Sequence, residues 1–359
     1  MATVTKSIGT NSRDYSTISA WEAGLSNSAV YNSGDEAVGE CYNDSTFDEA
    51  FNIDDTGPAY GLSSITLKAN SSDKHDGTSD SGVKITYTGS FSTFSPIFQV
   101  SYTQSSYGSD LVKIEDLEFA DIAVSTDTDV VIFSLGIDSC IMSRCLVNNI
   151  HHNGAGNRSF YIFGIDSTNG AVVQNTMIFN CGKGATHSSQ NGRCQALYSS
   201  ANAEYNNLTI HNIFDNTVTA NSYGIFNGVI KNSIITNCGE NFKQQTGSSS
   251  DYNLSSDTTF FGGNSIAQIG TFRLYTSTTQ GSEDLHLKND SPALRAAQNL
   301  GTTNDVQKDI DGEDRDTSGS TAWDIGADQC ASCTTTAKKF DGHLRMNLDG
   351  DLGSFNVMG

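Results

Sequence analysis

Proline is nearly absent. Three residues in 359, Pro58, Pro96 and Pro292, leave the middle of the chain free of the breaks that proline imposes on strands. Basic side chains are also scarce: 20 Lys and Arg stand against 41 Asp and Glu, a net charge of -21. That balance excludes the basic footprint of a nucleic-acid-binding surface, because the overall field repels phosphate. No stretch approaches ~20 consecutive apolar residues, so no membrane-spanning helix is expected. The opening Met1-Ala2-Thr3-Val4-Thr5-Lys6 lacks an apolar signal region, so the chain is expected to be made and folded in a cytoplasm. Most of its eight cysteines are then expected to be free thiols. Cys330 and Cys333 form a CxxC pair with no second pair after it and only His343 nearby, a poor match to a zinc site.

What is present is polar but not disordered. Hydrophobic residues make up 36 % and charged residues 17 %, and Ser, Thr, Asn and 34 Gly fill the difference. Disordered chains are poor in aromatic and β-branched residues. This chain has 18 Phe, 13 Tyr and many short runs of Ile and Val, the mixture expected of thin apolar strands joined by polar turns.

Five ten-residue segments align without gaps, starting at Lys113, Ile141, Val172, Glu204 and Val229, with spacings of 28, 31, 32 and 25 residues. The second, seventh and tenth columns are apolar or Cys throughout; the seventh reads Phe119, Val147, Ile178, Ile210, Ile235. The fourth column is polar (Asp116, Arg144, Asn175, Asn207, Asn232), and the ninth is Asp or Asn (Asp121, Asn149, Asn180, Asn212, Asn237). Columns five and seven alternate in the strand sense and face inward. The polar columns mark bends before and after that strand. Asn tolerates the left-handed backbone of a sharp corner, and stacked Asn side chains can hydrogen-bond from coil to coil. The periodicity is not helical, and the pattern of leucine-rich repeats is missing. The fold class expected is all-β: a single-stranded right-handed parallel β-helix, a solenoid. Seven or eight coils between residues 62 and 285 would make a rod about 35–40 Å long at the parallel strand spacing.

The remaining segments read as an N-terminal cap (1–61), a closing segment (286–333) and an extension (334–359) that either docks as an arm or trails as a tail. In the cap, Tyr15 to Leu25 reads as a short amphipathic helix with Ile18, Trp21 and Leu25 on one face, capped by Asp14 or Ser16 and ended at Gly24. Such a helix would plug the apolar end of the first coil.

The closing stretch "LHLKNDSPALRAA…DIDGEDRD…DIGADQ" resembles the end of many right-handed β-helix repeat proteins. The start, "TVTKSIGTNSRDYSTISAWEA" with "GECYND" at 39–44, resembles β-helix proteins encoded by marine tailed phages and related bacterial loci. The resemblance implies the fold and a setting on a virion; the activity of that family is poorly defined.

Candidate functional residues are few. Glycoside hydrolysis needs two carboxylates about 5–10 Å apart, and Asp116, Glu118 and Asp121 on one coil, with Asp138 and Asp166 further along, are the acids to consider. Glu118 stands in an outward column whose next members are Leu146 and Met177, so a structural or solvated role fits these acids better. His151-His152 lack acids at zincin spacing and read as a loop. Asp309, Asp311 and Asp314 resemble part of a calcium loop but lack its twelve-residue ligand pattern, so no cofactor is required, with Ca²⁺ the ion to consider. The outward residues Leu146, Met177 and Ile234 form an apolar stripe, the kind of surface that meets another. A homotrimer, or docking on other virion proteins, is expected there.

The functional expectation is a virion structural protein of a tailed phage: a spike, fibre or capsid decoration that contacts other virion subunits or host glycans. The alternative is a polysaccharide depolymerase on the same scaffold. It would need an elongated acidic groove with paired carboxylates and exposed aromatics.

Overall fold

The corners fix the architecture. All ten residues of the two bend columns adopt left-handed backbone in the computed structural model, with φ between 50° and 59°. Between them the chain runs extended, and each circuit lays one strand on each of three parallel faces. The structure describes residues 2–54, 61–91, 96–101, 111–125, 129–135, 140–154, 159–165, 171–184, 192–199, 203–216, 221–243, 249–316, 318, 322–330 and 332–333. The extension 334–359 and the acids Asp138 and Asp166 lie outside them.

Among the described residues the first face holds eight strands, from Thr3–Ile8 through Val229–Lys231. The second face also holds eight, from Phe47–Asp48 through Leu254–Ser255, and the third seven, from Phe51–Ile53 through Glu240–Phe242. All pairings on these faces are parallel, the signature of a parallel β-helix. Six of the first-face strands fall within 62–285; the other two, Thr3–Ile8 and Glu36–Cys41, come from the segment expected only as a cap.

The inward row is continuous. Phe119 pairs with Val147, Val147 with Ile178, Ile178 with Ile210, and Ile210 with Ile235; Phe47 and Ile85 extend the row toward the N-terminus. On the third face Phe51, Phe98, Phe133 and Phe163 stand in register, with successive ring centroids 5.2, 5.1 and 4.6 Å apart. Cys41, Cys140, Cys145, Cys181 and Cys194 are free and buried, and burial pushes the Cys140 and Cys181 thiols up to about 12. Cys330 and Cys333, by contrast, are joined in a disulfide.

In four of the five aligned coils the ninth column lies within the second-face strand: pairing resumes past Asn149, with Ile150 on Ile122 and His152 on Val124; Asn237 follows its strand, Ile234–Thr236, as expected. Both corner columns carry amide ladders. Asn207 Nδ2 donates to Asn175 Oδ1 at 2.8 Å, and Asn232 Nδ2 to Asn207 Oδ1 at 3.0 Å. In the other column Asn212 donates to Asn180 at 2.8 Å and Asn237 to Asn212 at 3.0 Å.

The cap helix spans Ile18–Gly24, with Ile18 and Trp21 buried. Its N-cap is Thr17, whose side chain accepts from Ala20 N; Asp14, one of the two expected caps, accepts from Ser7 N instead. The Glu49 carboxylate accepts from Ile18 N and Ser19 N at 2.8 and 2.9 Å, which satisfies donors left open at the helix start. A Cβ on Gly39 would sit 2.6 Å from the Trp21 indole, so the strand Glu36–Cys41 accepts that ring only because residue 39 has no side chain.

One prediction tests the corners. Asn207→Ala should destabilise by about 1–2 kcal/mol through its left-handed backbone and by about 1–3 kcal/mol more through the ladder partners left unsatisfied. Asn207→Gly should avoid the backbone loss and suffer only the loss of the ladder. Equal denaturation midpoints for the two variants would show that backbone conformation is not the constraint.

Candidate functional site

The residues singled out from the sequence do not converge. Asp116 is bound by the Arg144 guanidinium, Nε at 2.7 Å and Nη2 at 3.0 Å, with Glu115 a further 3.3 Å contact. Glu118 is fully buried; it accepts from Asn148 Nδ2 at 2.8 Å and Asp80 N at 2.9 Å, and burial raises its pKa. Asp121 is exposed and paired with Lys84 at 2.8 Å. His151 and His152 close the strand Leu146–His152; they are not in a loop, and His152 is buried, in register with Val124 and Lys183.

The apolar stripe is real but covered. Leu146, Met177 and Ile234 are each 0 % exposed. They belong to a second hydrophobic core with Leu274, Tyr275, Leu285, Leu287, Val306, Ile310, Trp323 and Ile325. The expected partner surface is therefore filled by the chain's own tail, which folds back along the second face. Fully burying each of these side chains is worth about 1.5–3 kcal/mol, reason enough for the tail to lie there.

The closing motif is the clamp that seats this tail. Gly326 (φ +109°) lies so close to the second face that a Cβ would come within 2.8 Å of Ile234 and 3.0 Å of Thr209. Gly326 N donates to Asn232 O, and Ala327 N to Thr209 Oγ1. The buried Arg315 donates to the carbonyls of Asp324, Gly326 and Ala327. Asp309 accepts from Asp311 N, Glu313 N and Gln329 N, and Asp314 pairs with Lys308. Asp309 thus engages backbone amides, Asp314 engages Lys308, and Asp311 faces His286.

The group that does converge is His286, Asp311 and Asp328, with ligand atoms within 4.8 Å of one another. His286 Nδ1 lies 2.6 Å from Asp284 Oδ1, and Nε2 lies 3.3 Å from Asp311 Oδ2. Burial acts to lower the His286 pKa, but the Asp311 hydrogen bond, the charges of Asp328 and Asp311 and the Asp284 hydrogen bond override it and raise it to about 10. Burial lifts Asp309 to about 7 and Asp328 to about 6. Together these residues hold an imidazolium among carboxylates.

An outward feature that the repeat alignment missed stands on the third face. In that sheet Tyr161 is in register with Gln195 and Tyr223, and Gly164 with Tyr198 and Phe226. The outward rings form a strip: Tyr161 to Tyr198 at 5.2 Å, Tyr198 to Phe226 at 6.0 Å, and Tyr223 to Phe226 at 6.0 Å. Tyr161, Tyr198 and Phe226 are partly exposed. Arg193 lies over the Phe226 ring at 4.9 Å and Lys243 over the Tyr223 ring at 5.5 Å. Such a strip offers flat apolar faces to a ligand and cations beside them. The sequence signal was the recurrence of Tyr or Phe in "FYIFGI", "CQALYS" and "SYGIF", which unequal loops hid.

No family model and no curated protein matches the chain. Among solved structures, the pectin methylesterase from Aspergillus niger, in deglycosylated form, is similar at 16 % identity over 69 % of this chain and 87 % of that one, with a TM-score of 0.26.

The imidazolium cluster sets a pH dependence. His286 binds a proton in the folded state up to about pH 10 and in the unfolded chain only up to about 6.5. Its stabilisation is complete below pH 6.5 and drains as pH rises toward 10. Asp309, raised to about 7, acts in the same direction at lower pH, stabilising most below about 4. Thermal midpoints should therefore fall from pH 7 to pH 10, and His286→Asn should flatten that fall. Parallel curves for both proteins would refute the assignment.

Proposed function

We propose that the chain is a surface protein of a tailed-phage virion, a spike, fibre or capsid decoration, that contacts host glycans through the aromatic strip of its third face. The strip carries the glycan part of this reading. A pyranose ring has an apolar C–H face that packs on an aromatic ring, while its hydroxyls remain free for polar neighbours. Rings repeated on successive coils match a ligand that is itself a repeat, and Arg193 and Lys243 stand beside them as polar neighbours.

The virion setting is supported by the resemblance of the chain's start to β-helix proteins of marine tailed phages. Contacts with other virion subunits, and self-association as a trimer, belong to the same proposal. They fall to surfaces other than the stretch of the second face around Leu146, Met177 and Ile234, which the tail covers, and mass measurement in solution tests the oligomer. Cleavage of the bound polymer would also use exposed aromatics, but it requires a carboxylate pair as well. Asp116, Glu118 and Asp121 are each held by other partners. Release of reducing sugar from host polysaccharide tests that second reading.

Tyr198→Ala should weaken binding to host surface polysaccharide about threefold to tenfold, the worth of one aromatic contact. Affinity electrophoresis with the purified polymer measures it, and circular dichroism checks the fold. Unchanged retention by a folded Tyr198→Ala protein would remove the strip from the proposal.

A further inference from the structure

We propose a second binding site, for an oxyanion, in the cleft between the first face and the tail. The cleft has a volume of about 270 Å³ and is lined by Lys68, Lys74, Arg144 and Lys308, with Asp116 and Asp305. Four of the chain's 20 basic side chains thus meet in one concavity of a protein whose net charge is -21. Like charges gathered this way repel unless something neutralises them.

Within the chain the acids pair unevenly with these cations. Arg144 takes up both Asp116, in a two-pronged pair, and Glu115 at 3.3 Å. Lys308 shares a contact of 2.8 Å with Asp314, whose side chain is 68 % exposed and outside the lining. Lys68 reaches Glu40 only at 3.7 Å. Lys74 donates to the Asp311 carbonyl and forms no ion pair among the described residues. An ammonium has three N–H donors, so each of these lysines retains donors beyond the one engaged.

Two backbone choices point the same way. Arg144 is the one basic residue in a corner column otherwise made of Asn and Asp, and it holds the same left-handed conformation, φ 51°. Its side chain gives up the amide ladder at that step and places a guanidinium in the cleft wall. Gly312, at φ +81°, forms part of the opposite wall; a Cβ there would come within 2.9 Å of Lys74 Nζ. The residue without a side chain keeps the ammonium's space open.

The ligand class follows from the chemistry. Several cationic donors in a small cleft suit a single carboxylate, sulfate or phosphate group; the acidic surface beyond disfavours an extended polyanion. The inference stands apart from the aromatic strip, which lies on another face.

The test uses the full chain in calorimetric titrations with sodium sulfate and with D-galacturonate, against sodium chloride at matched ionic strength. Saturable binding of either anion is expected; preference for sulfate identifies a tetrahedral ligand and preference for galacturonate a carboxylate. Lys74→Gln should weaken that binding about tenfold or more through loss of a charged hydrogen bond. Lys308→Gln should act in the same direction, which keeps the test alive if loss of the Asp311 contact unfolds the Lys74 variant. Lys6→Gln, remote from the cleft, should leave binding unchanged. Absence of saturable binding for both anions, or wild-type affinity in folded Lys74→Gln and Lys308→Gln, would overturn the site.

Discussion

Each of the five aligned coils depends on two residues held in left-handed backbone, one before the second-face strand and one inside it or just past its end. That conformation costs an ordinary L-residue about 1–2 kcal/mol, and Asn and Asp bear it best because their short polar side chains bond locally. Nine of the ten corner positions here hold Asn or Asp, and the amides of Asn149, Asn207, Asn212, Asn232 and Asn237 each donate to the same corner of the preceding coil. Because side chains alternate along a strand, a slip of one residue between coils would turn the inward row outward. The ladders make that slip cost hydrogen bonds as well as burial.

The tail is the second organising element, and it is built by different means. The coils cohere through in-register apolar rows; the closing segment coheres through buried polar groups that saturate backbone. Arg315 gathers three carbonyls, Asp309 three amides, and Asp324 the amides of Arg295 and Cys330. Irregular chain buried against a sheet has no ladder of its own to satisfy its peptide groups, so side chains must do it. The glycine of the closing motif then lets the backbone lie flat on Thr209 and Ile234.

Much of the coil geometry was legible because it repeats. Five aligned segments gave the inward row, both corner columns and the ladders. Leu146, Met177 and Ile234 were correctly placed on the outside of the sheet, but nothing local shows that the chain returns to cover them. Glu118 escaped for the same reason: the loop that buries it supplies Asp80 N from 38 positions earlier. The acids of "DIDGED" look like ligands in sequence, since a carboxylate that caps backbone amides and one that binds an ion have the same letter. The aromatic strip lay between the aligned segments, where unequal loops broke the spacing that revealed the rest.

The way the tail is attached changes what kind of object the solenoid is. Asn175, Asn207 and Asn232, on three successive coils, donate to the carbonyls of Asp305, Val306 and Gln298 across 130, 99 and 66 residues of chain. A stack whose units touch only their neighbours can fray from its end one turn at a time. Stitches of this length close that stack into a loop, so the last coils cannot peel away singly. They also raise the contact order, and assembly must wait until the turns that receive the tail already exist.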